Sequence, residues 1–181
     1  SFAIDVLGRL VEVISGQSLD AFMQERLFRP LGMVDTGFYV PPEKLDRVAT
    51  VYGHVAPDPE LKRMEQIKPR SQPPDWFSGG GGLVSTAHDY ARFAQMLVNG
   101  GQLDGVRILG PRTVALYSMN MAPQTALPYS FNATDTNHRG YGYSLGTRVL
   151  MDVAANGIAG SVGEFGWDGA HSTYFWVDPN E

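Results

Sequence analysis

The hydrophobic period changes once along these 181 residues, from helical to strand spacing, and that change limits the folds open to the chain. Near the N-terminus, Val6, Leu7, Leu10, Val11 and Ile14 recur at helical steps, predicting an amphipathic helix over Phe2 to Ser15. Gly16 stands where a left-handed cap would close it, and Ser18 is placed to cap a second helix that runs through Phe28 and is stopped by Pro30. A third helix opens on a capping box of Thr86 and Asp89, turns Tyr90, Phe93, Ala94 and Leu97 to the core, and ends at Asn99-Gly100-Gly101. Asp104-Gly105 between Leu103 and Val106 predicts a tight hairpin, and Gly110-Pro111 a short helix to about Met119. From Tyr141 the period is two. Tyr141, Tyr143, Leu145, Thr147, Val149 and Met151 alternate with Gly142, Ser144, Gly146 and Arg148, as in one strand carried through Ser144. Asn156-Gly157 marks a turn, and strands are expected near Ser161 to Phe165 and Thr173 to Val177. Helices first and strands last predict an α+β fold with an antiparallel sheet.

Between the second and third helices, Leu31 to Ser78 shows no period. Pro41-Pro42, Pro57, Pro59, Pro69 and Pro73-Pro74 punctuate it, and Gly79-Gly80-Gly81-Gly82 closes it. So long a loop in a compact domain is functional or clamped against the body.

Composition narrows the partners. The apolar share of 43% is enough for a core, and the net charge of −5, with no basic run, argues against nucleic acid and anionic membranes. No apolar run reaches the ~18 residues of a membrane helix. Cysteine is absent, which excludes disulfides and thiol catalysis and is compatible with a bacterial cytoplasm or periplasm. The start, from Ser1 to Leu7, has no signal-peptide pattern and reads as a helix under way, and Trp176 to Glu181 reads as a strand entering a turn. Both ends are expected to continue into missing N- and C-terminal segments.

Several motifs have plain readings. His54, His88, His138 and His171 are scattered without metal-ligand spacing, so no metal or cofactor is expected. The glycine run lacks the lysine of a phosphate loop; taken alone it reads as a flexible hinge. Asn132-Ala133-Thr134 fits a glycosylation sequon with nothing to support it. Gly142-Tyr143-Ser144-Leu145-Gly146 matches the nucleophile elbow of α/β-hydrolases, and Asp168 and His171 follow in triad order. That elbow needs a strand, a sharp turn and a helix, and no helical pattern follows Gly146. Trp167-Asp168-Gly169-Ala170 reads as a turn entering the last strand, its tryptophan packed at a sheet edge.

Four segments in order carry a resemblance. They are Asp5-Val6-Leu7-Gly8-Arg9-Leu10-Val11-Glu12, Phe28-Arg29-Pro30-Leu31-Gly32-Met33-Val34-Asp35-Thr36-Gly37-Phe38, the stretch from Gly80 to Met96, and Gly166-Trp167-Asp168-Gly169-Ala170. Together they resemble the carboxylesterase branch of the serine β-lactamase and penicillin-binding-protein group, across essentially the whole chain. The resemblance implies a partial β-lactamase/DD-peptidase-like domain. Residues 1–140 would be its helical and loop region, and 141–181 the first returning strands.

The group's nucleophile lies in a Ser-x-x-Lys motif, and no serine here has lysine three residues on. Its tyrosine would stand just before Ser1. The resemblance therefore implies a serine hydrolase forming an acyl-enzyme on carboxylic esters, whose nucleophile, lysine and tyrosine are absent from these residues. This chain alone would be inactive, and poorly folded without the missing segments of the same protein. Ala170 would offer its backbone N–H to the oxyanion. Trp167 would replace the lysine that greets a substrate carboxylate, with Asp168 and Gly169 beside it. Trp76, Phe77, Gly80 and Gly81 would line the acyl pocket. A small neutral ester is the implied substrate; a penicillin-binding-like or β-lactamase-type protein acting on β-lactams or peptides, a non-catalytic penicillin-binding-like or regulatory protein using the same pocket, and an α/β-hydrolase esterase using Ser144 are the alternatives.

Overall fold

The structure, a computed structural model, describes residues 2–55, 58–64, 70–127, 139–169, 171 and 173–181. It forms two compact units, Ser1–Ala91 and Arg92–Glu181, divided inside one helix.

In the first unit, helix α1 (Phe2–Ser15) closes at Gly16, whose φ of 69° is left-handed, and whose N–H donates to the Glu12 carbonyl. Helix α2 (Leu19–Met23) is capped by Ser18, which accepts from the Ala21 N–H, and it runs on as a π-helical turn, Gln24–Phe28. Both helices were legible. The expected buried stripe of α1 was not: Val6, Leu7, Leu10 and Ile14 are exposed, and the helix buries Gly8 instead. Among the described residues, Leu19, Phe28, Leu31, Met33 and Phe38 are the buried apolar side chains of this unit. The stretch expected to be irregular contains a 3₁₀ turn, Pro42–Arg47, and an antiparallel hairpin of β1 (Tyr52–Val55) with β2 (Asp58–Arg63). Tyr52, His54, Leu61 and Lys62 are all exposed along it.

Helix α3 (Ala87–Val98) carries the division between units. Its fully buried side chains are Asp89, Met96 and Leu97. Of the face expected from spacing, Leu97 is in place, Phe93 and Ala94 are half-buried, and Tyr90 is exposed.

In the second unit, Gly101 and Gly100 end α3 by donating to Met96 and Leu97. Strands β3 (Gln102–Leu103) and β4 (Val106–Arg107) form the expected hairpin, with Asp104 and Gly105 both at positive φ. Helix α4 (Pro111–Tyr117) follows. The sheet is an antiparallel meander of β5 (Tyr141–Tyr143), β6 (Arg148–Leu150), β7 (Phe165–Asp168) and β8 (Tyr174–Val177).

Two strand expectations are corrected. The alternation from Tyr141 to Met151 is a hairpin, not one strand: Ser144 N–H donates to the Thr147 carbonyl, Gly146 has φ 81°, and Tyr143 pairs with Arg148. The turn reverses the phase, putting Arg148 and Leu150 on the face of Tyr143 and Tyr141. The strand expected at Ser161 to Phe165 lies instead at Phe165–Asp168, because Ser161 to Glu164 form a turn around Gly163 at φ 96°. Ahead of it, Asp152 caps a one-turn helix α5 (Val153–Asn156) that Gly157 closes in the left-handed conformation.

Candidate active site

In the first unit the site is built around the glycine run. Asp5, in the first turn of α1, accepts hydrogen bonds from Ser78 Oγ at 2.5 Å and Gly80 N–H at 3.0 Å. Those two bonds, Ser78 first, hold its carboxyl below the usual carboxylate range. The two backbones are almost in contact. A β-carbon on Gly79 would run into the Ile4 carbonyl, and one on Gly8 would stand 3.1 Å from the Gly79 Cα. Gly79 is glycine because a helix lies against it. The other end of the run is fixed by a two-bond bridge between Val84 and Gly37. A flexible hinge is therefore the wrong reading of these glycines.

Phe77 packs its ring 5.0 Å from that of Phe38, while Trp76 is exposed. Gly80 is exposed, and a β-carbon on Gly81 would meet nothing closer than Ser78 Oγ at 3.9 Å. Trp76, Phe77, Gly80 and Gly81 lie along one segment whose glycine run is tied at both ends.

Asp89 anchors the Gly37 side. The expected capping box is half formed: Thr86 Oγ1 accepts from the Asp89 N–H at 3.2 Å. The Asp89 carboxylate does not reach back. Only 1% exposed, it accepts from the Asp35 N–H at 2.7 Å and the Thr36 hydroxyl at 2.8 Å. Asp35 itself bridges Arg47 and Lys44, at 2.7 and 2.6 Å. These partners, Arg47 foremost, hold its carboxyl far below the ordinary range.

In the second unit Trp167 pairs with Phe175 and meets the Tyr143 ring edge-on, centroids 5.7 Å apart. Trp167 and Asp168 end β7 rather than opening the last strand. Asp168 accepts from Arg148 at 3.2 Å. Arg148 is buried and stacks over Tyr174 and Tyr141, 4.5 and 5.1 Å from their centroids. The Asp168 charge is thus answered within the sheet. Burial pushes the Tyr141 hydroxyl up to about 12 and raises the Glu164 carboxyl beside it. Gly169 closes the following turn by donating to the Thr173 carbonyl at 2.8 Å. Ala170 lies outside the described residues, as do His138 and the Asn132 sequon.

Ser144 is not at an elbow. It sits in a strand–turn–strand hairpin, is 6% exposed, and donates to the Leu116 carbonyl at 2.5 Å. Its hydroxyl is engaged in holding β5 to α4.

Against that geometry the chain matches the β-lactamase family over residues 1–181. It belongs to that family. The family's members are serine hydrolases, and the relatives of this chain include both esterases and penicillin-binding proteins. It is 38% identical to penicillin-binding protein 4 of Amycolatopsis lactamdurans over 74% of this chain and 34% of that protein. It is 30% identical to the esterase EstB of Burkholderia gladioli over 98% of this chain and 45% of EstB. The solved structure of EstCE1, a hydrolase with promiscuous acyltransferase activity, superposes with a TM-score of 0.79 at 28% identity, covering 99% of this chain and 48% of EstCE1. The chain spans less than half the length of the curated relatives it matches. Its partial α+β, β-lactamase-like fold is the one the sequence implied.

Sequence reasoning singled out the glycine run and Trp167 but missed Asp5, Asp89 and Arg148 as organising side chains. An acidic residue in a helix's first turn reads as ordinary dipole complement, so Asp5 gave no separate signal. Among the described residues, no group of metal-binding side chains gathers, and no helix is long and apolar enough to cross a membrane.

Proposed function

We propose that the protein to which this chain belongs cleaves small neutral carboxylic esters through an acyl-enzyme. The observation that carries the reading is Trp167, an indole on β7 where the resemblance expects the lysine that receives a substrate carboxylate. An indole offers stacking surface and one N–H but no cation, so it favours uncharged esters over carboxylate-bearing β-lactams and peptides. Similarity to EstB supports the same direction.

In this reading the serine nucleophile, its lysine and the tyrosine come from outside these 181 residues, because no Ser-x-x-Lys occurs among them. Trp76, Phe77, Gly80 and Gly81 form the acyl wall, held in place by the glycine run's anchors. The small glycines leave that wall wide. The Ala170 N–H helps to bind the oxyanion, with Gly169 setting the turn ahead of it. Asp168 acts through Arg148 to hold the end of β7. The second reading, a penicillin-binding or peptidase activity on the same site, is favoured by the 38% identity to penicillin-binding protein 4.

The test is made on the whole protein with p-nitrophenyl butyrate, nitrocefin and a D-alanyl-D-alanine peptide. Butyrate kcat/KM is expected to exceed the others by orders of magnitude. Ester activity should survive Ser144→Ala and fall on the order of 10²–10³ in a folded Ala170→Pro protein, which lacks the donor. Nitrocefin or peptide turned over as fast as the ester would install the second reading. Loss of activity in a folded Ser144→Ala protein would install the elbow.

A further inference from the structure

Helix α1 and the glycine run touch through backbone, and a single carboxylate ties them. Asp5 receives the Ser78 hydroxyl and the Gly80 N–H on the same oxygen, Oδ1. Gly79 lies between these two residues with its Cα against Gly8 and no room for a side chain beside Ile4. The run is also bridged at its far end, through Val84 to Gly37. The anchored stretch is thus short, and its near end is held by one side chain beside the Gly79–Gly8 backbone contact. Gly80, on the proposed acyl wall, is one of the two groups that side chain grips.

We infer that Asp5 is a positioning residue that sets where the acyl wall stands, and so sets which acyl chains the site accepts. The inference rests on the ester-cleaving reading. A carboxylate is suited to this task because it accepts two donors at once without donating itself. An asparagine in its place keeps one acceptor oxygen and the shape, whereas an alanine leaves the Gly80 N–H and the Ser78 hydroxyl without this partner. Asp5 touches no reacting atom in this scheme. Its effect should fall on substrate fit, and most on esters whose acyl chain reaches the wall.

The experiment compares wild type, Asp5→Asn and Asp5→Ala in the whole protein, in two arms. The first is steady-state hydrolysis of p-nitrophenyl acetate, butyrate and octanoate. Asp5→Ala is expected to raise KM for butyrate and octanoate about tenfold, the scale of one lost charge-assisted hydrogen bond, with acetate and kcat changed far less. Asp5→Asn should restore most of the loss. The second arm is amide hydrogen exchange of the peptide containing residues 78–82, which reads the anchor without any substrate. Asp5→Ala should speed exchange at Gly80 about tenfold or more, on the same grounds.

Unchanged exchange at Gly80 in Asp5→Ala overturns the anchor. Faster exchange with KM unmoved on every ester, or with kcat alone reduced equally on all three, overturns the link to acyl selection. A wild-type protein that exchanges as expected but hydrolyses no ester refutes the ester-cleaving reading, and with it acyl selection, while the anchor stands.

Discussion

Removing the Asp89 carboxylate tests how the second anchor works. Asp89→Ala leaves the Asp35 N–H without its acceptor, and the Thr36 hydroxyl with only its 2.7 Å contact to Ser85. An orphaned buried donor costs roughly 1–3 kcal/mol, and a hydrogen bond to a charged group contributes about 1.5–3 kcal/mol. Some of this is offset, because a 1%-exposed carboxylate no longer has to be desolvated. The net expectation is a loss of about 3 kcal/mol for Asp89→Ala and about half that for Asp89→Asn, which keeps one acceptor. A role confined to the helix terminus predicts something smaller, about 1 kcal/mol. The assay is urea unfolding of the whole protein followed by tryptophan fluorescence, with the m-value checked for constancy. A loss near 1 kcal/mol or below, with Asp89→Asn neutral, would refute the reasoning and reduce Asp89 to a helix-terminal residue. Thr36→Val, which removes one of the two donors, should fall between wild type and Asp89→Ala.

Two further outcomes follow from the same packing. Gly79→Ala should destabilise by more than about 2 kcal/mol, since its β-carbon would meet the Ile4 carbonyl, whereas Gly81→Ala should unfold like wild type; equal, mild effects in thermal melts would restore the hinge. Glu164 has its folded pKa raised by burial above the ordinary 4.5, so the native state binds more protons than the unfolded chain as pH rises past that value, and stability is lost as Glu164 ionises. Glu164→Gln should therefore raise Tm at pH 7 to 8, with the gain shrinking to nothing near pH 4; a gain that persists there would place the effect elsewhere.

The sequence by itself determined the local elements with short-range causes. Ser18 caps α2, Gly16 closes α1, Asn156-Gly157 turns the chain, Asp104-Gly105 makes its hairpin, and Pro111 opens α4, because each acts on backbone within a few residues. The order of helices and strands was legible for the same reason, except for the β1–β2 hairpin and α5, and so was the family, through four segments in register. Tertiary structure alone decided what the site residues do. The alternation through Ser144 looks the same in a strand as in a hairpin, and only pairing of Tyr143 with Arg148 fixed the turn and the face of each side chain. The glycine run reads as a hinge until Asp5, more than 70 residues away, grips one end and Gly37 the other. Asp89 has the spacing of a cap, yet its carboxylate serves Asp35 and Thr36 across 54 and 53 residues. Periodicity reports which face a residue occupies; which distant partner that face meets is set by packing, and the anchors of this candidate site lie in such long-range meetings.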